Sequence, residues 1–103
     1  MTLNIIDSSK NFSEALEAVK DGKRITRASW DNTRVFVVYQ KGYPEGINCN
    51  KQTAEAWDIN EGDKFICNPY LQIKNPDGSH SMWVPTIDDI LANDWKIFIS
   101  AKA

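Results

Sequence analysis

The sequence has little of the residue chemistry on which most enzymes and metal sites depend. It contains one histidine, His80, and two isolated cysteines, Cys49 and Cys67, without Cys-x-x-Cys spacing. A metal site with two histidines is therefore excluded, and both thiols are expected to be free and structural. No Gly-x-Ser-x-Gly elbow and no glycine-rich phosphate loop occurs. With 14 acidic residues, a carboxylate pair that acts as general acid and base stays an alternative, but no spacing in the sequence singles out such a pair. We therefore expect no catalysis, no metal and no cofactor.

The sequence also lacks long apolar segments and long basic segments. No apolar run is long enough to span a bilayer, and residues 1–10 lack the basic-then-apolar layout of a signal peptide. The 12 basic and 14 acidic residues give a net charge of −2, and no long block of Lys or Arg occurs. General binding to a nucleic-acid backbone is therefore not expected. These absences predict a cytoplasmic protein that binds neither DNA, RNA nor membrane.

The chain is instead rich in aromatic residues for its length. Its 103 residues include four Trp, three Tyr and four Phe, with 42% hydrophobic and 25% charged residues overall. This length and composition predict a single globular domain over residues 1–103. Aromatic side chains fill cores and also stack on flat ligands, so their abundance is compatible with a core, a binding site or both.

The clearest local signal is a helix over residues 12–21. Asn11 can cap its first N–H groups while Glu14 reaches back, and apolar residues then recur at helical spacing. Gly22 can adopt the left-handed conformation that ends a helix.

A second, shorter helix is predicted over residues 86–92. Thr86 would cap it, Asp89 lies in its first turn, and Ile90, Leu91 and Ala92 are expected to pack inward.

The remaining pattern predicts strands, turns and one helical turn. An arm or short strand is expected over 1–10, a turn at 30–32, a loop over 41–50 and a helical turn over 53–57 capped by Asn50. Further strands are expected at 23–27, 34–40, 65–74, 79–84 and 95–99, with Pro69 marking an edge or a bulge. Because hairpin-type connections dominate, the predicted fold is α+β, an antiparallel sheet with the N-terminal helix on one face and a short helix before the last strand.

Two sets of spaced residues carry a family resemblance over about residues 10–97. The first reads Phe12-x-x-Ala15-Leu16-x-x-Val19-x-x-Gly22-Lys23-x-Ile25-x-Arg27-x-x-Trp30. The second runs from Pro69-Tyr70-Leu71 through Gly78, Trp83-x-Pro85-Thr86-x-Asp88 and Leu91-Ala92-x-Asp94-Trp95. Taken in order, the two sets resemble the second family of phage Thoeris anti-defence proteins.

The resemblance implies a function that composition does not. Members of that family act as sponges: they bind the cyclic ADP-ribose isomer made by the bacterial Thoeris system and release it intact on denaturation. They assemble as homo-tetramers with pockets at subunit contacts, and some relatives are linked to cyclic oligonucleotides of another defence system. The resemblance therefore implies a non-catalytic anti-defence protein in the cytoplasm of the infected bacterial host. This chain departs from shorter members over residues 41–66, so the pocket wall there, and whether 41–64 form a lid, stay open.

A ligand of this kind would need an aromatic platform, cations for its diphosphate and acceptors for its ribose hydroxyls. We expect Trp30 to be the platform, with a role as a cover for the end of the core as the alternative. Arg27 is expected to meet the diphosphate or, alternatively, to form a surface ion pair, and Arg24 and Arg34 are weaker candidates.

The other candidate contacts come from two later segments. Tyr43 and Phe65, with Tyr70 as a further aromatic, are candidates for the opposite wall of the pocket. Trp83 is a candidate ligand contact, whereas Trp95 is expected to anchor the core.

Polar contacts are expected from residues on and after the short helix. Thr86 and Asp89 are expected to hydrogen-bond the ribose or base. Asn93 is either a ligand contact or, like Asp94, part of the turn that follows the helix.

Overall fold

The computed structural model describes residues 3–30 and 34–100 of the chain. Contacts divide it into two compact units, one formed by residues 1–39 with 71–103 and the other by residues 40–70. In chain order the elements are β1 (Leu3–Lys10), α1 (Phe12–Lys20), β2 (Arg24–Arg27), β3 (Phe36–Gln40), β4 (Tyr43–Asn48), α2 (Lys51–Trp57), β5 (Lys64–Cys67), β6 (Tyr70–Lys74), β7 (His80–Met82), α3 (Ile87–Leu91) and β8 (Trp95–Ser100). Among the described residues, no helix has the length and apolar character that crossing a membrane requires.

Helix α1 begins and ends where the sequence predicts. The Asn11 side chain accepts a hydrogen bond from the Glu14 backbone N–H at 2.8 Å, and the Asn11 N–H donates to the Glu14 carboxylate at 3.0 Å. This reciprocal pair satisfies two of the N–H groups that a helix start leaves without partners. At the other end, Gly22 has a φ of +95°, which a glycine adopts without steric cost.

The first unit is built on a six-stranded sheet in the order β1-β8-β2-β3-β6-β7. The pairs β1–β8, β2–β8, β2–β3 and β6–β7 are antiparallel, and β2 pairs with β8 through Ile25 opposite Ile97 and Arg27 opposite Trp95. The predicted α+β fold, with α1 near the start and α3 before the last strand, is confirmed.

The core lies between α1 and one face of this sheet. Its buried members come from α1 and from the three central strands: Ala15, Val19, Ile25, Val37, Trp95 and Ile97. Burying an aliphatic side chain of this size stabilises a fold by about 1.5–3 kcal/mol. The periodicity of α1 therefore has a direct packing partner in β2, β3 and β8.

The second unit contains a two-stranded antiparallel sheet, β4–β5, and the helix α2. Asn50 caps α2 by accepting from the Thr53 N–H at 2.8 Å, as expected. Cys49 is buried and its thiol donates to the Asn60 carbonyl at 3.3 Å, so its role is packing. Both cysteines are free, as predicted.

Three expectations about local structure are wrong. The segment 41–50 is not all loop, because it contains β4. The strand expected over 65–74 is two strands in different sheets, separated at Asn68 and Pro69. Proline has no N–H for the ladder and restricts the residue before it, so pairing stops there.

The third error concerns α3, where Ile90 and Leu91 are 42% and 71% exposed and do not pack inward. The buried residue of this helix is Asp89, because its carboxylate turns inward to cap the helix start. The predicted turn residues Asp31 and Asn32 lie outside the described part of the chain.

Candidate ligand-binding site

Three tryptophans from distant parts of the sequence meet beside the core of the first unit. The ring centroid of fully buried Trp95 lies 5.4 Å from that of Trp30 and 6.1 Å from that of Trp83, and Trp30 and Trp83 are 6.1 Å apart. All three pairs are edge-to-face, the arrangement that the aromatic quadrupole favours. We call Trp30, Trp83 and Trp95 the indole cluster. Trp95 anchors the core as expected, while Trp30 and Trp83 are half-buried.

Hydrogen bonds hold the indole of Trp95 and the backbones of Trp30 and Trp83. The Trp95 indole N–H donates to the Asp89 carbonyl at 2.9 Å. The Trp30 backbone N–H donates to the Arg27 carbonyl at 3.1 Å, and that of Trp83 to the Leu71 carbonyl at 2.9 Å. The Trp95 indole is therefore bonded to α3 directly, whereas the bonds of Trp30 and Trp83 fix their backbones to β2 and β6 and their rings are held by packing.

The Arg27 guanidinium lies between two carboxylates. Its Nε donates to Asp94 Oδ1 at 2.9 Å and its Nη1 donates to Asp89 Oδ1 at 3.0 Å. The Arg27 side chain is 17% exposed, so these ion pairs are partly buried. Arg27 thus forms the ion pair that was its alternative role, but in a partly buried position and not on the open surface. Its contact with a diphosphate stays a prediction.

The start of α3 is closed by a second capping box. The Asp89 N–H donates to Thr86 Oγ1 at 3.1 Å, and the Thr86 N–H donates to Asp89 Oδ2 at 2.9 Å. The predicted cap is confirmed. Because Oδ1 of Asp89 accepts from Arg27, both carboxylate oxygens have partners inside the protein. Their expected bonds to a ribose or base stay a prediction.

These contacts stabilise the charged forms of the three ionisable groups. Burial by itself raises the pKa of Asp89, but bonds from the Thr86 backbone and from Arg27 outweigh it and leave the pKa below its usual value. The pKa of Asp94 is lowered in the same way, with burial opposed by the hydrogen bond and charge of Arg27. The hydrogen bond to Asp94 raises the pKa of Arg27. All three groups are therefore charged at neutral pH.

The structure brings together five of the eight predicted contact residues. Arg27, Asp89 and Thr86 are joined by hydrogen bonds, and Trp30 contacts Trp83 through their rings.

The other three predicted contacts belong to other segments of the described chain. Asn93 is exposed between α3 and β8. Tyr43, on β4, is 53% exposed, and Phe65, on β5, packs edge-on against Trp57 at 5.1 Å, both within the second unit. Their contact with a ligand is untested and stays a prediction.

Asp94 is the residue whose importance the sequence did not reveal. The sequence predicts turn chemistry for it, yet it forms an ion pair with a residue 67 positions earlier. Arg27 and Asp94 both stand in the residue sets that carry the family resemblance, but those sets do not pair them. The pairing of β2 with β8 is needed to bring them together.

A groove of about 700 Å³ also lies between β1 and α1, where its wall includes Lys10, Glu17 and Lys20. None of the eight predicted residues lines it. The groove and the indole cluster are therefore different features of the first unit.

The fold and the site define a small α+β protein in which a half-buried pair of indoles adjoins a partly buried ion-pair network. The family model for the Thoeris anti-defense 2-like domain, called Tad2-like, matches residues 10–98. The chain is also 30% identical over 92 residues to Thoeris anti-defense 2 of Bacillus phage SP01. The aligned part covers 84% of this chain and 92% of the phage protein. The chain therefore belongs to the Thoeris anti-defense 2-like family, and its role is phage anti-defence.

Proposed function

We propose that this protein binds and sequesters a cyclic ADP-ribose-type signalling nucleotide and releases it chemically unchanged. Family membership supports the anti-defence role, and the indole cluster supports the class of ligand. The mechanism is stoichiometric capture, so the protein inhibits by lowering the free concentration of the messenger and catalyses no reaction.

The half-buried pair of Trp30 and Trp83 is the observation that carries this proposal. Their edge-to-face contact leaves each ring partly exposed, while fully buried Trp95 supports both from the core side. A purine that stacks on such a supported ring gains about 1–3 kcal/mol. Because the rings are already ordered by packing, little side-chain entropy is lost when the base binds.

Polar groups near the indole cluster match the rest of the ligand. Thr86 and Asn93 are exposed, and their side chains are of the kind that bonds ribose hydroxyls or base edges. Thr86 is bonded to Asp89, which in turn is bonded to Arg27. Effective capture at stoichiometric amounts requires nanomolar affinity, which is about 12 kcal/mol of binding free energy. One stacking contact supplies only a fraction of that, so the ligand must be enclosed on more than one side.

We further propose that enclosure comes from a homo-tetramer with pockets at the contacts between copies. A strip of apolar side chains around Trp83 and α3 is exposed in the single chain: Met82, Val84, Ile87, Ile90 and Leu91. Val84 is 81% exposed and lies next to Trp83 in the sequence. Exposed apolar strips of this kind are typical of protein–protein contacts. A copy bound there would lie against α3 and the segment that carries Trp83.

The central experiment follows the fate of the ligand. Purified protein is mixed with cyclic ADP-ribose isomers, freed of unbound ligand by gel filtration, heated, and the supernatant is analysed by chromatography and mass spectrometry. We expect the intact isomer to be recovered in stoichiometric amount. Recovery of linear ADP-ribose instead would identify an enzyme and contradict the proposal.

Calorimetry with a wider panel separates the remaining possibilities. Binding of cyclic dinucleotides in place of ADP-ribose isomers would identify a sponge for another defence system. If no nucleotide raises the melting temperature or releases heat, inhibition through docking on a defence enzyme replaces sequestration.

The proposed assembly is tested by light scattering on size-exclusion fractions. We expect the wild type to elute as a tetramer and Val84→Asp or Leu91→Asp to shift it toward smaller species with weaker ligand binding. Ile66→Asp, at a 64% exposed apolar position of the second unit, is the control. A monomeric wild type that still binds the ligand would refute the shared pocket.

A further inference from the structure

Arg27 is the point at which three segments of the first unit are joined. It ends β2, contacts Asp89 of α3, and contacts Asp94 immediately before β8. We propose that Arg27 and Asp94 are positioning residues, which hold Trp30 beside Trp83 and Trp95, and that Arg27 acts through this bond network instead of contacting the ligand. Its effect on ligand affinity rests on the proposed function.

Asp94 holds the turn that leads to Trp30. Its Oδ1 accepts from Arg27 Nε at 2.9 Å and its Oδ2 accepts from the Ser29 N–H at 3.3 Å. Its backbone carbonyl accepts from the Ala28 N–H at 3.1 Å, and the Trp30 N–H closes the turn on the Arg27 carbonyl. One aspartate therefore bonds to three consecutive residues, and the next residue in the chain carries the indole.

Arg27 extends the same network to the start of α3. Its Nη1 bonds to Asp89, whose other carboxylate oxygen holds Thr86 and whose carbonyl holds the Trp95 indole. A displacement of the guanidinium therefore changes the setting of Trp30, Thr86 and Trp95 together. The planar guanidinium satisfies both carboxylates at once, which an ammonium group does with less geometric precision.

The charge balance argues against a direct role for Arg27 in binding an anion. One guanidinium faces two carboxylates, so the trio carries a net charge of −1. A diphosphate that approached Arg27 would meet two negative groups already bonded to it. The two roles therefore predict opposite signs for removing the charge of Asp94. Removal strengthens anion binding if Arg27 is a contact and weakens binding if the network positions Trp30.

Asp94→Asn is the decisive substitution because it keeps the shape and removes the charge. Arg27 and Ser29 donate to different oxygens of Asp94, and the amide replaces one of these oxygens with an NH2 donor, so with the side chain in the same position one of the two donors loses its acceptor. We expect calorimetry with the cyclic ADP-ribose isomer that the wild type binds to show about tenfold weaker affinity, or about 1.4 kcal/mol, for Asp94→Asn and for Arg27→Gln. The affinity of the double variant should be no more than about twofold below that of the less tightly binding single variant, because both substitutions act through one network. Unchanged or tighter binding by Asp94→Asn, together with weaker binding by Arg27→Gln, would overturn the proposal.

A spectroscopic readout tests the positioning without any ligand. Indoles at 5.4 and 6.1 Å couple electronically and give a paired circular-dichroism signal near their strong ultraviolet transition. We expect this signal to fall in Asp94→Asn and also in Arg27→Lys, which keeps the charge and loses the fork. Trp30→Phe provides the reference for complete loss of the Trp30 contribution. An unchanged signal in both network variants would refute the positioning role.

The control separates positioning from general destabilisation. Phe98→Leu removes a buried ring that packs on Phe36, on the opposite face of the sheet from Trp95. It should lower the melting temperature while leaving the indole signal and the affinity unchanged. If the wild type binds no isomer but the indole signal responds as expected, the proposed function fails and the positioning role stands.

Discussion

Replacing Trp30 with alanine tests whether this residue serves the ligand or the core. Trp30 is half-buried and has edge contacts with Trp83 and Trp95. Each such contact contributes about 0.5–1.5 kcal/mol beyond area burial, so the two together contribute about 1–3 kcal/mol. Because Trp30 is only half-buried, the whole substitution should cost less than the roughly 3–5 kcal/mol of removing a fully buried Trp. A domain of this size has a free energy of unfolding of about 5–15 kcal/mol, and the variant should stay folded at 25 °C.

Trp95→Ala provides the contrast because Trp95 is fully buried. Removing a buried Trp costs about 3–5 kcal/mol, and the loss of the indole N–H leaves the Asp89 carbonyl without this bond at a further cost of about 1–3 kcal/mol. These costs together approach the lower end of the free energy of unfolding, so Trp95→Ala should be much less stable than Trp30→Ala.

Urea titration and calorimetry at low temperature are the paired assays. Trp30→Ala should unfold cooperatively at a lower urea midpoint and should bind cyclic ADP-ribose isomers about 5- to 150-fold more weakly, the equivalent of the about 1–3 kcal/mol of one stacking contact. A Trp30→Ala variant that is unfolded under these conditions would support the core role alone. One that is folded and binds as tightly as the wild type would refute the platform role.

Three further predictions concern acid stability and the second unit. Because the folded pKa values of Asp89 and Asp94 are depressed, their contribution is present above the unfolded value of about 4 and is lost as the pH falls through the folded values. Urea midpoints should therefore be flat from about pH 7 to 5 and fall below about pH 4, whereas a fall between pH 7 and 5 would contradict the network. Gly42→Ala should destabilise the β4–β5 pair strongly, because Gly42 has a φ of +69° and an added Cβ would overlap the Cys67 carbonyl oxygen. Hydrogen exchange should accelerate in the second unit, and unchanged protection there would be a failure of this prediction. Asp58→Gly should raise the free energy of unfolding by about 0.5–1 kcal/mol, since Asp58 ends α2 at a φ of +58°, and a lower urea midpoint would contradict it.

The parts of the fold that local chemistry decides could be predicted from the sequence. The caps at Asn11, Asn50 and Thr86 each depend on residues three positions apart, and all three are present. The apolar stripe of α1 likewise predicted which residues meet the sheet, and Ala15 and Val19 are fully buried.

The parts that long-range pairing decides could not be predicted in the same way. Strand pattern alone does not show that residues 64–67 and 70–74 belong to different sheets, because each is equally suited to an extended strand. The candidate site shows the same difference between what local patterns and what long-range pairing determine. The family resemblance and the need of an adenine-bearing ligand for an aromatic platform led to the candidate Trp30, and the position of Trp83 before the start of α3 made it a further candidate. The partners of Arg27 depended on a strand pairing that no local pattern encodes.

In helix α3, one capping interaction determines which side chain is buried against the site and which side chains are exposed. A helix of five residues has few positions that face inward, and here Asp89 occupies that position because its carboxylate closes the cap and its carbonyl receives the Trp95 indole. Ile87 and Leu91 are consequently turned outward, at 69% and 71% exposure. The polar group thus fixes the indole cluster from within, and the displaced apolar groups form the surface that we propose a second copy covers. Asp89→Leu should therefore damage the indole signal although it adds an apolar side chain to a buried position, and an undiminished signal would show that the cap is dispensable for the site.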